Sequence, residues 1–430
     1  MSTKRRNTFL IIVIVVILAC IIAALPPVRE RLLWRADRLW TQAFYLINPP
    51  EKEAFIPNTP ETDVSPMSTA TITATIVNTP SPTPLPEVDT PTPIPTATPL
   101  PQLVELSGVE YVDQHGLFNY CAPANLVMAL TYWGWEGDRV DIGQILKPYP
   151  EDFNVMLYEM VDYVQDETNL NAILRSGGTI EQLKILVAGG FPVLLETGRH
   201  IVDLSGKLSW MGHYTVLTGY NDETQEFITQ DSYYTADYPI TYDELLIQWR
   251  AFNFAFLIVY PPDQQGRLFE LLGDYADEEQ SNRIAYDIAT NEIWSQEDVD
   301  KLFAWFNRGT SMIALKDYRG AAESFDEAFL INAGLPESER PWRMMWYQTG
   351  PYFAYYNTGR YQDVIDLADF TLDKARLKIL EESYIWRARA YAALGNLDEA
   401  HADLCSSLKY HQGFEPALQE LQNLGLSDCP

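Results

Sequence analysis

The chain of 430 residues predicts an α+β domain joined to an all-α solenoid, carried behind an N-terminal transmembrane helix. Three observations predict it. Residues 123–188 read as helices and 191–260 as strands, the helices-then-antiparallel-sheet order of an α+β domain. The C-terminal third repeats one helical-hairpin pattern. An unbroken apolar run, 9–25, follows Lys4, Arg5 and Arg6 at the N-terminus.

Composition narrows the class. A hydrophobic fraction of 47%, with 25 tyrosines and 11 tryptophans, fits well-filled globular parts, and the length calls for more than one core. A net charge of −29 excludes a basic surface for phosphates, so no nucleic-acid partner is expected. Four cysteines, Cys20, Cys121, Cys405 and Cys429, make no disulfide framework. Spacing alone does not show whether Cys405 and Cys429 pair.

The apolar run sits at the short end of what spans a bilayer, about 17–25 residues. An uncleaved anchor over 1–27 is the expectation. A lipoprotein box at Ile17-Leu18-Ala19-Cys20 and a cleaved signal peptide are the rivals. Residues 28–48 place Val28, Leu32, Ala36, Leu39, Ala43 and Leu46 at helical spacing. They read as an amphipathic helix on the membrane surface, with Trp34, Trp40 and Tyr45 interfacial, or equally as a short packing helix. Residues 49–102 are rich in Pro and Thr and are expected to form an unfolded, extended stalk of ~3.1 Å per residue. Such stalks are typical of exported proteins. The globular part is therefore expected outside the cell membrane, tethered by a single span.

The first globular domain is placed at 103–265. Helices are expected over 123–133, 139–146, 155–164 and 179–188, the last stopped by Gly189-Gly190. Strands are expected over 191–196, 214–220, 226–230 and 253–260. The most telling segment is Tyr120-Cys121-Ala122-Pro123-Ala124. It sets a lone cysteine at a helix N-terminus, where the macrodipole and unpaired N–H groups favour thiolate. Of the five histidines, His401 and His411 are expected on the surface of the repeats, and His200 in a polar loop. His115 is a weak candidate for the reactive surface. His213, in Gly212-His213-Tyr214, enters an apolar strand that can aim it into a cleft. Asp231 closes the next strand, where it can orient the imidazole. Gln114 is the candidate oxyanion donor, with the Cys121 N–H.

Together, Gln114, Cys121-Ala122-Pro123-Ala124, Gly212-His213-Tyr214, Thr218-Gly219-Tyr220 and Asp231 resemble cysteine peptidase family thirty-nine. The closer match is its stand-alone C39-like, papain-fold branch, over about 103–262. The resemblance implies peptide-bond hydrolysis through an acyl-enzyme. Cys121 would attack, His213 would act as base then acid, Asp231 would orient it and Gln114 would stabilise the oxyanion. Ala122 stands where the family usually has glycine. The Gln114–Cys121 spacing is wide, and Ser232 follows the acid where proline is common. Nothing in the sequence suggests the transporter of the exporter branch, so its leader-peptide cleavage need not carry over. The rival readings are a catalytically silent peptide-binding adaptor and a papain-fold acyltransferase or transglutaminase-like enzyme.

Residues 266–300 read as a helical connector, and 301–428 as tetratricopeptide repeats. Tyr318, Tyr361 and Leu397 hold equivalent positions. A groove for a protein partner, or a stabilising appendage, follows from such repeats. No HExxH, paired CxxC or phosphate loop occurs, so no metal or cofactor is expected.

Overall fold

The computed structural model describes residues 26–58, 99–202 and 206–429. Residues 1–25 of the anchor expected over 1–27, most of the expected stalk and the lipoprotein box at Cys20 lie outside these residues. Among the described residues, no helix is long and apolar enough to cross a membrane.

Helix α1 (Pro26–Ile47) opens the described chain. Its last turns are two-faced: Thr41 and Tyr45 are buried, while Leu39, Trp40, Leu46 and Ile47 are exposed. Positions 39, 40, 46 and 47 share one side of a helix with 3.6 residues per turn. Residues 50–58, expected to begin the stalk, dock on the C-terminal helices instead. The Phe55 ring packs edge-on to Phe329 at 5.0 Å, and the Asn58 backbone N–H donates to Asp363 at 2.8 Å. The chain reappears at the sheet edge, where the Tyr220 hydroxyl donates to the Pro101 carbonyl at 2.8 Å. The proline-rich segment thus starts and ends on the same body. The physical reason is Phe55, an aromatic that fills a gap in the helical core and ties down a stretch whose composition argues against folding.

The α+β domain is built on a seven-stranded antiparallel sheet, ordered β2-β7-β3-β4-β5-β6 with β1 beside β4. The strands are β1 (Leu103–Glu105), β2 (Asn171–Arg175), β3 (Val193–Val202), β4 (Leu208–Asn221), β5 (Glu226–Gln230), β6 (Tyr238–Thr241) and β7 (Phe256–Tyr260). Helices α2 (Cys121–Thr131), α3 (Arg139–Leu146), α4 (Leu157–Glu167), α5 (Ile180–Ala188) and α6 (Tyr242–Arg250) surround it. Helix α2 is apolar on all sides and buried from Ala122 to Leu130, as a central helix must be. The expected strand at 253–260 begins only at Phe256. Asn253 and Phe254 ahead of it take positive φ (53° and 50°) in a turn. The β2 and β6 strands and α6 were not expected. Their runs are short, and β6 carries a proline.

Past α7 (Gln265–Leu272), the chain is helical: α8 (Glu278–Ser295), α9 (Asp298–Ala314), α10 (Tyr318–Gly334), α11 (Met344–Tyr347), α12 (Gly350–Asn357), α13 (Tyr361–Lys374), α14 (Glu381–Ala393), α15 (Leu397–Tyr410) and α16 (Glu415–Leu424). Three turns between these helices share one geometry. Lys316, Gly359 and Gly395 take positive φ (66°, 76° and 85°). The next residue's N–H then reaches back five positions, Asp317 to Met312, Arg360 to Tyr355 and Asn396 to Tyr391. This is the ring of a left-handed helix stop, which favours glycine. Cys405 and Cys429 form a disulfide with their Cα atoms 5.3 Å apart.

The helical part does not hang free. Trp210, Ala251 and Phe252 of the sheet domain share one core with Phe303, Phe306 and Tyr347. The Asn307 amide donates to the Arg250 carbonyl at 2.7 Å, and its oxygen accepts from the Asn253 N–H at 3.1 Å.

Candidate active site

Cys121 is the first residue of α2, and α2 packs behind β4. Pro123 needs no intrahelical donor at that position, so the helix starts cleanly there. Burial pushes the thiol up to about 11, against the opposing pull of Lys147 and of the Tyr214 and Ala122 backbone N–H groups. The N-terminal position was expected to favour thiolate. The packed surroundings outweigh it, because a partial charge at a helix end is weaker than the loss of hydration.

His213 stands in the middle of β4, not at its entrance, opposite Thr197 of β3. Its Nε2 pairs with Asp231 Oδ1 at 2.9 Å. That leaves Nδ1 as the ring nitrogen available to a reacting group. Asp231 immediately follows β5. Its Oδ1 also accepts the Tyr233 and Tyr234 N–H groups, at 3.0 and 3.2 Å. Its Oδ2 accepts Arg199 Nη1 at 2.7 Å. Burial would raise the Asp231 carboxyl, but His213 and Arg199 overcome it and hold the group well below the usual carboxylate range. The acid is thus a fixed anion beside the imidazole. Arg199 escaped sequence reasoning: it neighbours exposed His200, and the expected loop at 198–200 is the continuation of β3.

Gln114 lies seven residues before the cysteine yet is tied to the same site. Its backbone N–H donates to the Ser232 carbonyl at 3.0 Å, and its Oε1 accepts the Ser232 hydroxyl at 2.7 Å. The Ser232 hydroxyl in turn accepts Asn125 Nδ2 at 2.8 Å. The same Asn125 nitrogen reaches the Cys121 carbonyl at 2.8 Å and the Tyr214 carbonyl at 2.9 Å. One buried amide therefore links the cysteine helix, the histidine strand and the glutamine loop. Because Ser232 fixes the Gln114 oxygen, the Gln114 NH2 is the end left to donate. Asn125 and Ser232 were missed as partners. The serine after the acid was the only signal, and it read as a departure from the family pattern.

His115 is exposed and bonded to Asp113 at 2.6 Å, with its ring 5.2 Å from Tyr233. His401 contacts the Ser427 carbonyl at 2.9 Å, far along the chain from the site. His411, expected on the surface, is largely enclosed and pairs with Glu381 at 3.0 Å.

The helical part packs against the histidine strand. A Cβ at Gly212 would lie 2.8 Å from the Tyr347 ring of α11. Tyr347 is buried there, stacking its edge toward Trp210 and Phe252. His213 is 2% exposed. Glu196 lies opposite Tyr214 in β3, and burial pushes its carboxyl well above its ordinary value.

The cysteine thus heads a buried helix, and the histidine–aspartate pair lies on the adjoining sheet. In keeping with it, residues 106–256 match the model of the Peptidase_C39 like family. A crystal structure from Bacillus anthracis, described as a C39-like peptidase, aligns at 18% identity over 37% of this chain and 98% of its own, with a TM-score of 0.31. No curated protein matches the chain significantly. The chain therefore carries a C39-like α+β domain followed by a large helical part.

Proposed function

We propose that the chain is a cysteine peptidase whose hydrolytic set is Cys121, His213, Asp231 and Gln114. The observation that carries this reading is the His213 Nε2–Asp231 pair, which leaves Nδ1 to serve a thiol on the neighbouring helix. His213 Nδ1 takes the Cys121 proton as Sγ bonds to the scissile carbonyl carbon. The carbonyl oxygen gains charge and accepts from the Gln114 NH2 and the Cys121 N–H. The C–N bond then breaks, and the imidazolium gives its proton to the leaving amine. Water, deprotonated by His213, attacks the thioester, and the acid product leaves as Cys121 regains a proton.

The same reading extends to the rest of the chain. The three left-handed helix stops at Lys316, Gly359 and Gly395 support tetratricopeptide-like units with a groove for a protein partner. The apolar run at 9–25 and the exposed Leu39, Trp40, Leu46 and Ile47 face support a membrane-held protein with its globular part outside the cytoplasm. The body then sits near the bilayer rather than at the end of a stalk, because 50–58 dock before the proline-rich segment begins.

A second reading, a peptide-binding adaptor, is favoured by Tyr347 and by the enclosure of His213. One experiment separates them: the purified chain incubated with a peptide library, with products and thioester adducts read by mass spectrometry. Cleavage that Cys121→Ala and His213→Ala both abolish supports the peptidase. Peptides bound equally by wild type and Cys121→Ala, with neither products nor a Cys121 adduct, sink it. Amide products formed with an added amine, in place of hydrolysis, point to acyl transfer.

A further inference from the structure

Where α4 of the sheet domain meets α14 and the end of α15, three potential metal ligands converge. Glu159 lies on α4, Glu381 begins α14 and His411 follows α15. One ligand atom from each lies within 4.8 Å of the others. Glu381 is 4% exposed and Glu159 9% exposed. His411 Nδ1 meets Glu381 Oε1 at 3.0 Å, and its ring stacks on Phe414 at 4.7 Å between centroids, which fixes its plane. The Met156 N–H holds Glu159 Oε2 at 2.7 Å. A cavity of about 530 Å³ opens against Glu159 and His411, with Tyr158 and Asp162 on its wall.

The charge here is one-sided. Asp152 and Glu382 add to the field on the two glutamates. Lys147 faces the cluster but gives its Nζ to the Asn119 and Asp152 carbonyls. Buried carboxylates crowded in this way must take up a proton or a cation. The geometry offers one imidazole nitrogen and two carboxylate oxygens, one from each of three separate segments, converging on a single point. These donors differ from those of a plain acidic patch. An imidazole nitrogen with two carboxylates selects a borderline ion over calcium or magnesium, which take oxygen alone.

We propose that Glu159, Glu381 and His411 bind one zinc ion that clamps the helical part to the sheet domain, with the cavity supplying a water as fourth ligand. Zinc bonds of about 2.0–2.2 Å would draw the three side chains closer together. On binding, zinc takes the place of the His411 Nδ1–Glu381 hydrogen bond, and any proton displaced from the ligands passes to solvent. The site lies apart from Cys121, so it stands or falls independently of the peptidase reading.

The test uses the full chain in detergent, with Cys121→Ser to remove the reactive thiol. Equilibrium dialysis against zinc chloride, followed by metal analysis, is expected to give one zinc per chain. His411→Ala and Glu381→Gln should each weaken binding at least tenfold. Glu159→Gln, on the other side of the junction, should do the same while circular dichroism reports an unchanged fold. Zinc should also raise the melting temperature of the unsubstituted junction and not that of the three variants. No bound zinc would overturn the proposal, meaning that protons alone neutralise the cluster. Zinc retained in full by all three variants would overturn it too, since the ion would then reside elsewhere.

Discussion

Burial raises the Cys121 thiol to about 11 although Lys147 and two backbone N–H groups pull the other way, so at neutral pH the resting residue is a thiol. Alkylation by iodoacetamide without substrate should therefore be slow near pH 7 and rise about tenfold per pH unit up to the thiol's own value. A rate that is flat between pH 6 and pH 8 would instead reveal a preformed thiolate–imidazolium pair. The Arg199–Asp231 pair behaves differently, because both partners are enclosed. Unfolded, Asp231 titrates near about 3.9, and folded it lies well below that. Its contribution to stability is thus present above the unfolded value and lost as pH falls toward the folded one. Arg199→Met leaves that carboxylate buried with only His213 as a charge partner, and it should cost about 3 kcal/mol near neutral pH. The loss should shrink in acid, where the variant's Asp231 protonates. Urea unfolding at both pH values measures this, and a neutral-pH loss below about 0.5 kcal/mol would show that the pair carries little.

At the scale of elements, β4 and α11 meet one residue away from His213. Gly212 has no side chain to collide with the Tyr347 ring, and a Cβ there would come within 2.8 Å of it. Gly212→Ala should destabilise by about 1–3 kcal/mol through overpacking. Tyr347→Ala should lose a comparable amount by opening a cavity, yet the double variant should fall short of the sum. Strict additivity in chemical unfolding would mean that the strand and α11 do not press on one another. Local sequence signals end at this junction. Helix α2 was legible because Pro123 and an apolar run announce it. The histidine strand was legible because Tyr214, Val216 and Leu217 form a buried stretch. The local signals ran out at Arg199, whose role depends on β3 extending to Val202 beside a strand 14 residues long. Ser232 and Asn125 could not be paired from spacing, since the two are 107 positions apart. Nothing local to α11, four residues in length, marks Tyr347 as a neighbour of Gly212.

Across the whole molecule, three segments remote in sequence are closed on one another. The sheet domain and the helices share the aromatic core around Trp210, Phe252 and Phe303. Arg250 of α6 reaches Glu292 at 2.9 Å and Asp300 at 3.1 Å in the helical part. Residues 50–58 add a strap: the Arg340 guanidinium donates to the Glu51 carbonyl at 2.9 Å, and Lys374 pairs with Glu53 at 2.5 Å. Exposed ion pairs of this kind are weak singly. Phe55, 6% exposed between Phe329 and Phe370, therefore carries most of the docking. Joining residue 58 to residue 99 through the intervening chain costs entropy, but that cost grows only slowly with chain length. Cutting it should consequently leave the strap in place. A specific protease site inserted within 59–98 should, once cut, give two fragments that stay together in gel filtration and part only in denaturant. Phe55→Ala should lower the strap's affinity enough for the cut fragments to separate under native conditions, since truncating a buried phenylalanine removes about 3–5 kcal/mol. Fragments that separate natively with Phe55 intact would return the proline-rich segment to the role of a free tether.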